Sequence, residues 1–525
     1  MSPELARHLA AVSRDLGRQV GVLITREGSI RNVMVGDAFQ LQLPDVGRLR
    51  GGGRRFRGLR LVHTHLRGEG LSEDDLNDLA LLRLDMVAMI EALPEGDAGR
   101  LEVAHLSAAP PAEEAAWEDS FHRIEAPDVH RLELDADATM RALEEELART
   151  ADDAALVGRE AALVVGLDPD DDRFAETLEL VRSAGVAVSG ITRQRRRKLH
   201  PRTVVGRGKL REIVLQGMRQ GAEVAIFDVD LQPAQARAFE EATGLRSVDR
   251  TQLILDIFAQ RARSSDGKLQ VELAQLKYSL PRLSGSEAGR SRQVGGIGGR
   301  GPGETVLEVS RRRIRDRIGA LEKRVAALAR QRDLRRQRRR RQRLPVLSII
   351  GYTNAGKSTL LNALTDSRIQ AADQLFVTLD PTSRRLRFPR EGEVIVTDTV
   401  GFLSDLPKDL VAAFHATLEE LAEADLLLHV ADAADPRLDD KLAAVEGLVE
   451  ELGLGEVERL VVLNQCDRLP RETAAALAHR YRGVAISALE RQGLRELLTE
   501  AEERIGRRWK SLEEWSRTTH SKVET

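Results

Sequence analysis

The sequence has little cysteine and no long apolar run. A single cysteine, Cys466, occurs in 525 residues, which excludes an internal disulfide framework and a zinc site built from cysteines. No apolar run approaches the roughly 20 residues that a membrane-spanning helix needs. The first residues also lack the apolar centre of a signal peptide. We therefore expect a cytoplasmic protein without a membrane span.

One strongly basic element stands out in a chain whose formal net charge is only −3. The stretch 311–343 contains 16 Lys/Arg and three Asp/Glu, and no aromatic residue. A solvated helix face is one explanation, but like charges four residues apart destabilise a helix, so an anionic partner is expected. Without aromatic side chains, stacking on single-stranded bases is disfavoured. The phosphate backbone of structured RNA fits better.

Hydrophobic patterning divides the chain into five parts, two of which alternate strands with helices and so predict parallel sheets. Eight glycines occupy the nineteen positions 285–303 between two helical patterns, which predicts a helical hairpin with a long glycine-rich loop. The parts are an extra amino-terminal α/β domain (1–140), a second α/β domain (141–265), the hairpin with its basic helix (266–344), a doubly wound, mostly parallel α/β domain (345–507) and a short polar tail (508–525).

The segment Gly351–Ser358 reads Gly-Tyr-Thr-Asn-Ala-Gly-Lys-Ser and fits the phosphate-binding pattern G-x-x-x-x-G-K-S. It follows an apolar strand pattern and precedes a helical one, which is the context that this motif requires. In such a loop, backbone N–H groups surround the phosphates, Lys357 reaches the β and γ oxygens, and Ser358 supplies a magnesium ligand. The motif predicts a P-loop that binds a nucleotide with Mg²⁺.

Three further segments end later strand patterns, where open α/β sheets bind their ligands. They are Asp398–Gly401, Asn464–Asp467 and Ser487–Leu489. The carboxylate of Asp467 can accept both N1–H and the exocyclic amino group of guanine, whereas adenine offers no such pair of donors. The order and spacing of these segments therefore predict GTP rather than ATP.

The predicted nucleotide contacts come from these four loops. They are Gly351, Tyr352, Thr353, Asn354, Ala355, Gly356, Lys357, Ser358, Asp398, Thr399, Val400, Gly401, Asn464, Gln465, Cys466, Asp467, Ser487, Ala488 and Leu489. Asn354, Lys357, Asp398 and Gly401 are predicted to act in catalysis, and Ser358 to bind the metal.

Outside these motifs, four stretches resemble the HflX family of GTPases. They are Asp249–Ala262, Gly267–Tyr278, Gly295–Thr305 and Asp373–Thr382, and the similarity covers roughly residues 150 to 505. The resemblance implies a GTPase that binds GTP or GDP, docks on the large ribosomal subunit and its RNA, and separates stalled or idle 70S ribosomes. It also implies that the tip of the glycine-rich loop enters the large subunit near the peptidyl-transferase centre.

The resemblance adds nucleotide contacts that the residues alone do not suggest. They are Phe376, Val377, Thr378, Leu379 and Asp380, and Thr378 is expected to join Ser358 on Mg²⁺. Gln465 stands where the family normally has a lysine, whose stem covers one face of the purine, so the affinity for guanine is expected to be weaker.

Two other functions stay open at this point. An RNA-binding GTPase that assists ribosome assembly would need the same motifs without splitting ribosomes. An adaptor with a vestigial nucleotide site is the third hypothesis, prompted by Gln465. In each case we expect a monomer in solution.

The extra amino-terminal domain contains His63-Thr64-His65 and then Ser72 and Asp75, a pattern similar to the zinc signature of JAMM/MPN metallopeptidases and RadC-like proteins. In those proteins the two histidines and the aspartate bind zinc, and a separate glutamate activates water. Here the spacer is one residue shorter than usual, and the first strand pattern contains no glutamate. We therefore expect a degenerate domain kept for binding, with no Zn²⁺ at His63, His65 and Asp75.

Two residues bear on how GTP would be hydrolysed. Phe402 follows Gly401, at the position where Ras-like enzymes place a glutamine that orients water. A phenyl ring cannot hydrogen-bond to water in this way, so hydrolysis is expected to need help from elsewhere. GTPases with asparagine at the position of Asn354 often use K⁺ near the phosphates; that Asn354 only braces the loop is the open alternative.

If Asn354 binds K⁺, replacing K⁺ by Na⁺ slows the intrinsic hydrolysis of GTP. Phosphate release in buffers that differ only in this cation measures the effect, and Asn354→Ala should remove the difference between them. Equal rates of the unaltered protein in both buffers would assign Asn354 to bracing the loop.

Overall fold

The computed structural model describes residues 2–41, 43–44, 56–108, 117–155, 161–194, 199–262, 264–283, 306–341, 345–365, 382–389, 393–398, 421 and 424–521. The chain forms two compact units, Met1–Arg250 and Thr251–Thr525. Among the helices described, none is long and apolar enough to cross a membrane.

The first unit opens with the extra domain, which is built on a six-stranded mixed sheet. Its strands stand in the order β2-β1-β3-β4-β5-β6, with β3 and β4 parallel and the other neighbours antiparallel. The strands are β1 (Val20–Thr25), β2 (Ile30–Val35), β3 (Leu59–His65), β4 (Met86–Ala92), β5 (Ala98–Leu106) and β6 (Phe121–Ala126), and the helices are α1 (Pro3–Leu16), α2 (Glu73–Leu81) and α3 (Ala136–Ala155).

The remainder of the first unit alternates strands and helices around a four-stranded parallel sheet of order β10-β9-β7-β8. This arrangement confirms the predicted α/β class. The elements are β7 (Ala161–Gly166), α4 (Asp171–Ser183), β8 (Ala187–Arg193), α5 (Arg207–Gln220), β9 (Val224–Phe227), α6 (Pro233–Thr243) and β10 (Arg246–Val248).

Helix α5 joins these two sheets into one unit. Its residues Val214, Leu215 and Met218 are buried in the same apolar core as the extra domain. Arg211 on α5 donates hydrogen bonds to Glu73 and Asn77 on α2, at 2.6 and 2.5 Å. The extra domain is therefore packed on α5 and shares its core, and is not a separate module on a linker.

The second unit contains the helical hairpin. Helix α7 (Arg250–Arg261) precedes it, and α8 (Ser265–Ser279) and α9 (Val306–Arg341) form it. The apolar stripe of α9 is less exposed than the charged residues between its members, which are Ile314, Ile318, Leu321, Val325 and Leu328. Arg317 of α9 forms an ion pair of 2.8 Å with Glu272 of α8. The predicted glycine-rich tip lies outside the described residues.

The rest of the second unit is a doubly wound sheet of order β12-β13-β11-β14-β15-β16, in which only the β12–β13 pair is antiparallel. This confirms the predicted fold. The elements are β11 (Val346–Gly351), α10 (Lys357–Thr365), β12 (Thr382–Arg387), β13 (Glu393–Asp398), β14 (Leu426–Asp432), α11 (Leu438–Glu451), β15 (Arg459–Asn464), α12 (Arg471–Arg480), β16 (Val484–Ala485) and α13 (Leu494–Ser521). Helix α13 continues through most of the segment predicted as a polar tail. The five-part division of the chain stays a prediction.

The shared core predicts that shortening Met218 destabilises the whole first unit. Met218→Ala should lower its free energy of unfolding by about 2–5 kcal/mol, because the change leaves a cavity between α5 and the extra domain. Hydrogen exchange of β3 and β4, followed by mass spectrometry, reports this free energy. Ile191→Ala, at a site that is 46% exposed, is the control and should change it by less than about 0.5 kcal/mol. An effect on β7 to β10 alone would contradict the shared core.

Candidate functional site

The P-loop follows β11, and close packing dictates both of its glycines. Gly351 has a φ of +147°, and a Cβ at this position would collide with the backbone oxygen of Val430. Gly356 has a φ of +87°, and a Cβ there would collide with the side-chain nitrogen of Asn464. Any other residue at either position would push the loop away from the neighbouring strands.

The predicted Lys357 and Ser358 lie beside Asp398 at the start of α10. The ammonium group of Lys357 is buried and donates to the backbone oxygen of Tyr352 at 2.6 Å. Burial lowers the pKa of Lys357 to about 8, against the opposing charge of Asp398. The hydroxyl of Ser358 donates to Asp398 Oδ2 at 3.1 Å. A hydroxyl and a carboxylate side by side are oxygen ligands of the kind that Mg²⁺ prefers.

Asn464 connects the P-loop to the last predicted loop. This buried side chain donates from Nδ2 to the backbone oxygen of Ala355 at 2.9 Å. Its Oδ1 accepts a hydrogen bond of 2.9 Å from the backbone N–H of Ala488. Both ends of the amide are thus satisfied, and three loops at the carboxyl edge of the sheet are held at fixed spacing.

The residues after Asn464 form the predicted guanine loop. Gln465 has a φ of +61°, donates from Nε2 to the backbone oxygen of Asn354 at 3.3 Å, and accepts from Arg468 at 2.7 Å. The Cys466 thiol donates to the backbone oxygen of Leu463 at 3.2 Å, and burial raises its pKa. Asp467 is exposed, as a carboxylate that receives a base must be.

The last loop is held by its own backbone. Ser487 exchanges two hydrogen bonds with Gln492, and its hydroxyl accepts from the N–H of Glu490 at 3.1 Å. Ala488 is buried, whereas Leu489 is 75% exposed. Ala488 therefore fixes the loop on Asn464, and Leu489 points to solvent beside it.

Several predicted contacts lie outside the described residues. They are Phe376, Val377, Thr378, Leu379, Asp380, Thr399, Val400 and Gly401, together with Phe402. The role of Thr378 on Mg²⁺ and the catalytic role of Gly401 stay predictions.

The structure adds residues that the motifs did not suggest. A cleft beside Tyr352–Ala355 is also lined by Asp432, Asp435 and Lys441. Lys441 forms an ion pair with Asp435, and its ammonium lies 4.9 Å from the centre of the Tyr352 ring. Asp432 ends β14 at the carboxyl edge of the sheet, so the rule that located the other loops could have found it.

A second cluster lies in the extra domain. His63 Nε2 is 3.0 Å from His65 Nε2 and 3.0 Å from Asp75 Oδ1, and His65 Nε2 is 3.6 Å from Asp75 Oδ2. Burial and the nearby His63 lower the pKa of His65. Burial alone would raise the pKa of Asp75, but hydrogen bonds from His63 and Ser72 hold it below its usual range. The three residues of the zinc-like pattern are thus brought together.

The nucleotide site and its sheet define a class of protein. A P-loop, a Ser358–Asp398 pair suited to Mg²⁺ and an Asn464-centred guanine loop, all at the carboxyl edge of a doubly wound sheet, are the features of a P-loop GTPase. Residues 346–465 match the family model described as 50S ribosome-binding GTPase. Residues 171–259 and 261–339 match the models of the N-terminal and middle regions of GTP-binding GTPases.

Curated relatives identify the family within this class. The chain is 48% identical over 361 residues to the GTPase HflX of Caldanaerobacter subterraneus, which covers 69% of this chain and 82% of the relative. It is 49% identical over 302 residues to the GTPase HflX of Escherichia coli, covering 58% and 71%. The chain belongs to the HflX family of GTPases. It is accordingly a GTP-hydrolysing enzyme, and its Ser358–Asp398 pair fits the Mg²⁺ that such enzymes bind with the nucleotide.

Solved structures give a weaker match. A GTP-binding protein from Sulfolobus solfataricus, crystallised in complex with GDP, is 22% identical and has a TM-score of 0.38. The alignment covers 66% of this chain and 99% of that protein.

The buried Lys357 predicts how nucleotide affinity depends on pH. Burial holds the pKa of Lys357 at about 8. The negative charge of bound phosphates should return this pKa to its ordinary value of 10.5 or above. Binding of GDP should therefore take up a proton between about pH 8 and 10.5, and the affinity should fall as pH rises through this window. Calorimetry in buffers of different ionisation enthalpy measures the uptake. Proton release, or no exchange at pH 9, would contradict it.

Proposed function

We propose that this GTPase, in its GTP-bound form, docks on the large ribosomal subunit and separates stalled or idle 70S ribosomes into subunits. The family and its 50S ribosome-binding GTPase model support the partner. Because the partner is the ribosome, the same proposal assigns the protein to the cytoplasm, where it acts as a monomer.

The observation that carries the proposal is the exposed charge of α9. Among the α9 side chains that the structure describes, seven basic ones are exposed: Arg312, Arg313, Arg315, Arg317, Lys323, Arg324 and Arg330. Leu321 is fully buried on the opposite side of the helix, so α9 keeps its apolar stripe towards α8 and its cations towards solvent. This surface suits the phosphate backbone of ribosomal RNA.

The hairpin supports a division of roles, in which its helices bind RNA and its tip acts in splitting. The ion pairs Arg317–Glu272 and Lys277–Glu322 join α8 to α9. The glycine-rich tip between these helices contains Arg290, Arg292 and Arg300. We assign the tip to splitting, through its entry into the large subunit, and the helices that carry it to anchoring on the same subunit.

The cofactor proposal includes K⁺ beside the P-loop. Asn354 is exposed and has a φ of +61°, a conformation that asparagine tolerates better than most residues. Its backbone oxygen accepts from Gln465, and its side-chain amide is the group that we propose binds the ion.

Sedimentation of intact 70S ribosomes tests the proposed function. With non-hydrolysable GTP, the protein should convert 70S particles into subunits. A variant lacking residues 289–301 should hydrolyse GTP at the intrinsic rate and still bind the large subunit, but lose splitting, because this segment contains none of the nucleotide-binding motifs. Lys357→Ala should lose nucleotide-dependent splitting.

The outcomes separate the rival functions. Binding to the large subunit with no splitting by the full chain would favour an assembly GTPase. Normal splitting by the shortened chain would show that the glycine-rich segment acts as a linker.

A further inference from the structure

The cluster of His63, His65 and Asp75 has the spacing of a metal site. Ligand atoms around a tetrahedral zinc ion, bound at about 2.0–2.1 Å, lie roughly 3.3 Å from one another. The three separations here are 3.0, 3.0 and 3.6 Å, between two imidazole Nε2 atoms and the two oxygens of one carboxylate. All of these atoms lie within 4.8 Å of one another.

The strand positions the two histidines without any metal. Alternate residues of β3 face the same side of the sheet, so His63 and His65 lie next to each other. Thr64, on the other face, donates to Ser13 Oγ at 2.7 Å and accepts from the N–H of Val20 at 3.0 Å. Gly21 lies opposite His63 in β1, where a Cβ would come within 3.1 Å of the His63 Cβ. The fold therefore keeps room for this imidazole.

The third ligand is positioned by a helix start. Ser72 and Asp75 form a capping box at the beginning of α2, and Asp75 Oδ2 accepts from the Ser72 backbone at 2.7 Å. The loop before the helix is held by Glu102 of β5, which accepts from the N–H of Leu71 at 2.8 Å. Asp75 is thus fixed from two directions, and its carboxylate faces both imidazoles.

Hydrogen bonding alone does not satisfy this arrangement. Each Nε2 contacts both the other imidazole and the carboxylate, yet it carries one proton at most and can donate to only one of them. The other ring nitrogens, both Nδ1 atoms, are buried and have no hydrogen-bond partner among the described residues. His63 is fully buried and His65 is only 3% exposed. The contacts among the two Nε2 atoms and the carboxylate outnumber the protons that can fill them, which points to a missing ligand between these groups.

We infer that the extra domain binds one divalent transition-metal ion through His63, His65 and Asp75, and that this ion clamps helix α2 to strand β3. Two imidazoles and a carboxylate are the ligands of a borderline ion such as Zn²⁺ or Co²⁺ and leave a fourth position for water. This reverses the expectation from the sequence, which judged the short spacer unsuitable.

The short spacer between His65 and Ser72 does not exclude a metal site, because the fold still brings Asp75 to the two histidines. The six residues 66–71 are enough to connect β3 to α2. The capping box turns Asp75 back towards β3, and Glu102 holds the loop between them. Within that loop, Glu69 has a buried carboxylate oxygen without a hydrogen-bond partner among the described residues. Its charge acts on His65, and we assign it to accept a hydrogen bond from the metal-bound water.

A structural role of the ion, in which it holds α2 on β3, accounts for the site better than a catalytic role in hydrolysis does. Strand β1 contains no glutamate that could activate water in the manner of the resembling metallopeptidases. Instead, α2 carries Asp75 towards the metal and presents Glu73 and Asn77 to Arg211 of α5. An ion that fixes α2 on β3 therefore fixes the helix on which α5 docks.

Metal binding by the full chain tests the site. The protein is stripped of metal and nucleotide, titrated with Zn²⁺, and analysed for bound zinc after gel filtration; Co²⁺ reports the coordination through its visible absorption. We expect one zinc per chain. His63→Asn and Asp75→Asn should each weaken binding by more than about 100-fold, and Glu69→Gln by roughly tenfold, the scale of outer-shell changes.

The matched control is the pair His105 and His122. Their rings lie 5.2 Å apart on the neighbouring strands β5 and β6, outside the cluster. His105→Asn with His122→Asn should keep the zinc. Asp75→Asn preserves an oxygen that accepts from Ser72, so it tests the site even where His63→Asn fails to fold. Absence of zinc from the folded chain, or equal zinc in every variant, would overturn the assignment.

Thermal unfolding tests whether the bound ion holds α2 on β3. At a thousandfold excess of Zn²⁺ over its Kd, the thermal midpoint of the first unit should rise by roughly 8 °C or more. The control variant should show the same rise, and His63→Asn should show none. Bound zinc with an unchanged midpoint would overturn the clamp.

Discussion

The nucleotide site depends on the amide of Asn464. One hydrogen bond of 2.9 Å fixes the P-loop at Ala355, and another of 2.9 Å fixes the last loop at Ala488. Because the side chain is buried and both of its ends are paired, neither loop can move without leaving a polar group unsatisfied. Gly356 follows from the same constraint, since a Cβ there would occupy the position of the amide nitrogen.

Gln465 of the predicted guanine loop contacts the P-loop directly. Its side chain reaches the backbone oxygen of Asn354 and also accepts from Arg468. Both Gln465 and Asn354 have a φ of +61°, so two left-handed residues meet where the guanine loop touches the P-loop. The glutamine thus contributes a hydrogen bond between the two loops.

The sequence was sufficient for local features and insufficient for those that depend on distant contacts. Apolar strands, the phosphate-binding pattern and the hairpin depend on neighbouring residues, and the structure contains the predicted sheets and helices at those places. The cluster at His63 and Asp75 depends on Glu102, a residue of another strand, to hold the intervening loop. A spacing rule taken from other proteins does not include that contact, so the sequence alone could not show that these side chains lie together.

The role of α5 in the core of the extra domain also depends on distant contacts, so the sequence did not reveal it. Its pattern indicates an ordinary helix of an α/β sheet, yet Val214, Leu215 and Met218 complete the core of a domain that lies before it in the chain. Arg83 of the extra domain is buried and donates to the backbone oxygen of Thr243 at 2.8 Å, although burial and the charge of Arg57 lower its pKa to about 10. Removing the extra domain would expose an apolar face of α5, and removing the domain of α5 and α6 would take the Thr243 acceptor from Arg83. The two domains of the first unit therefore stabilise each other.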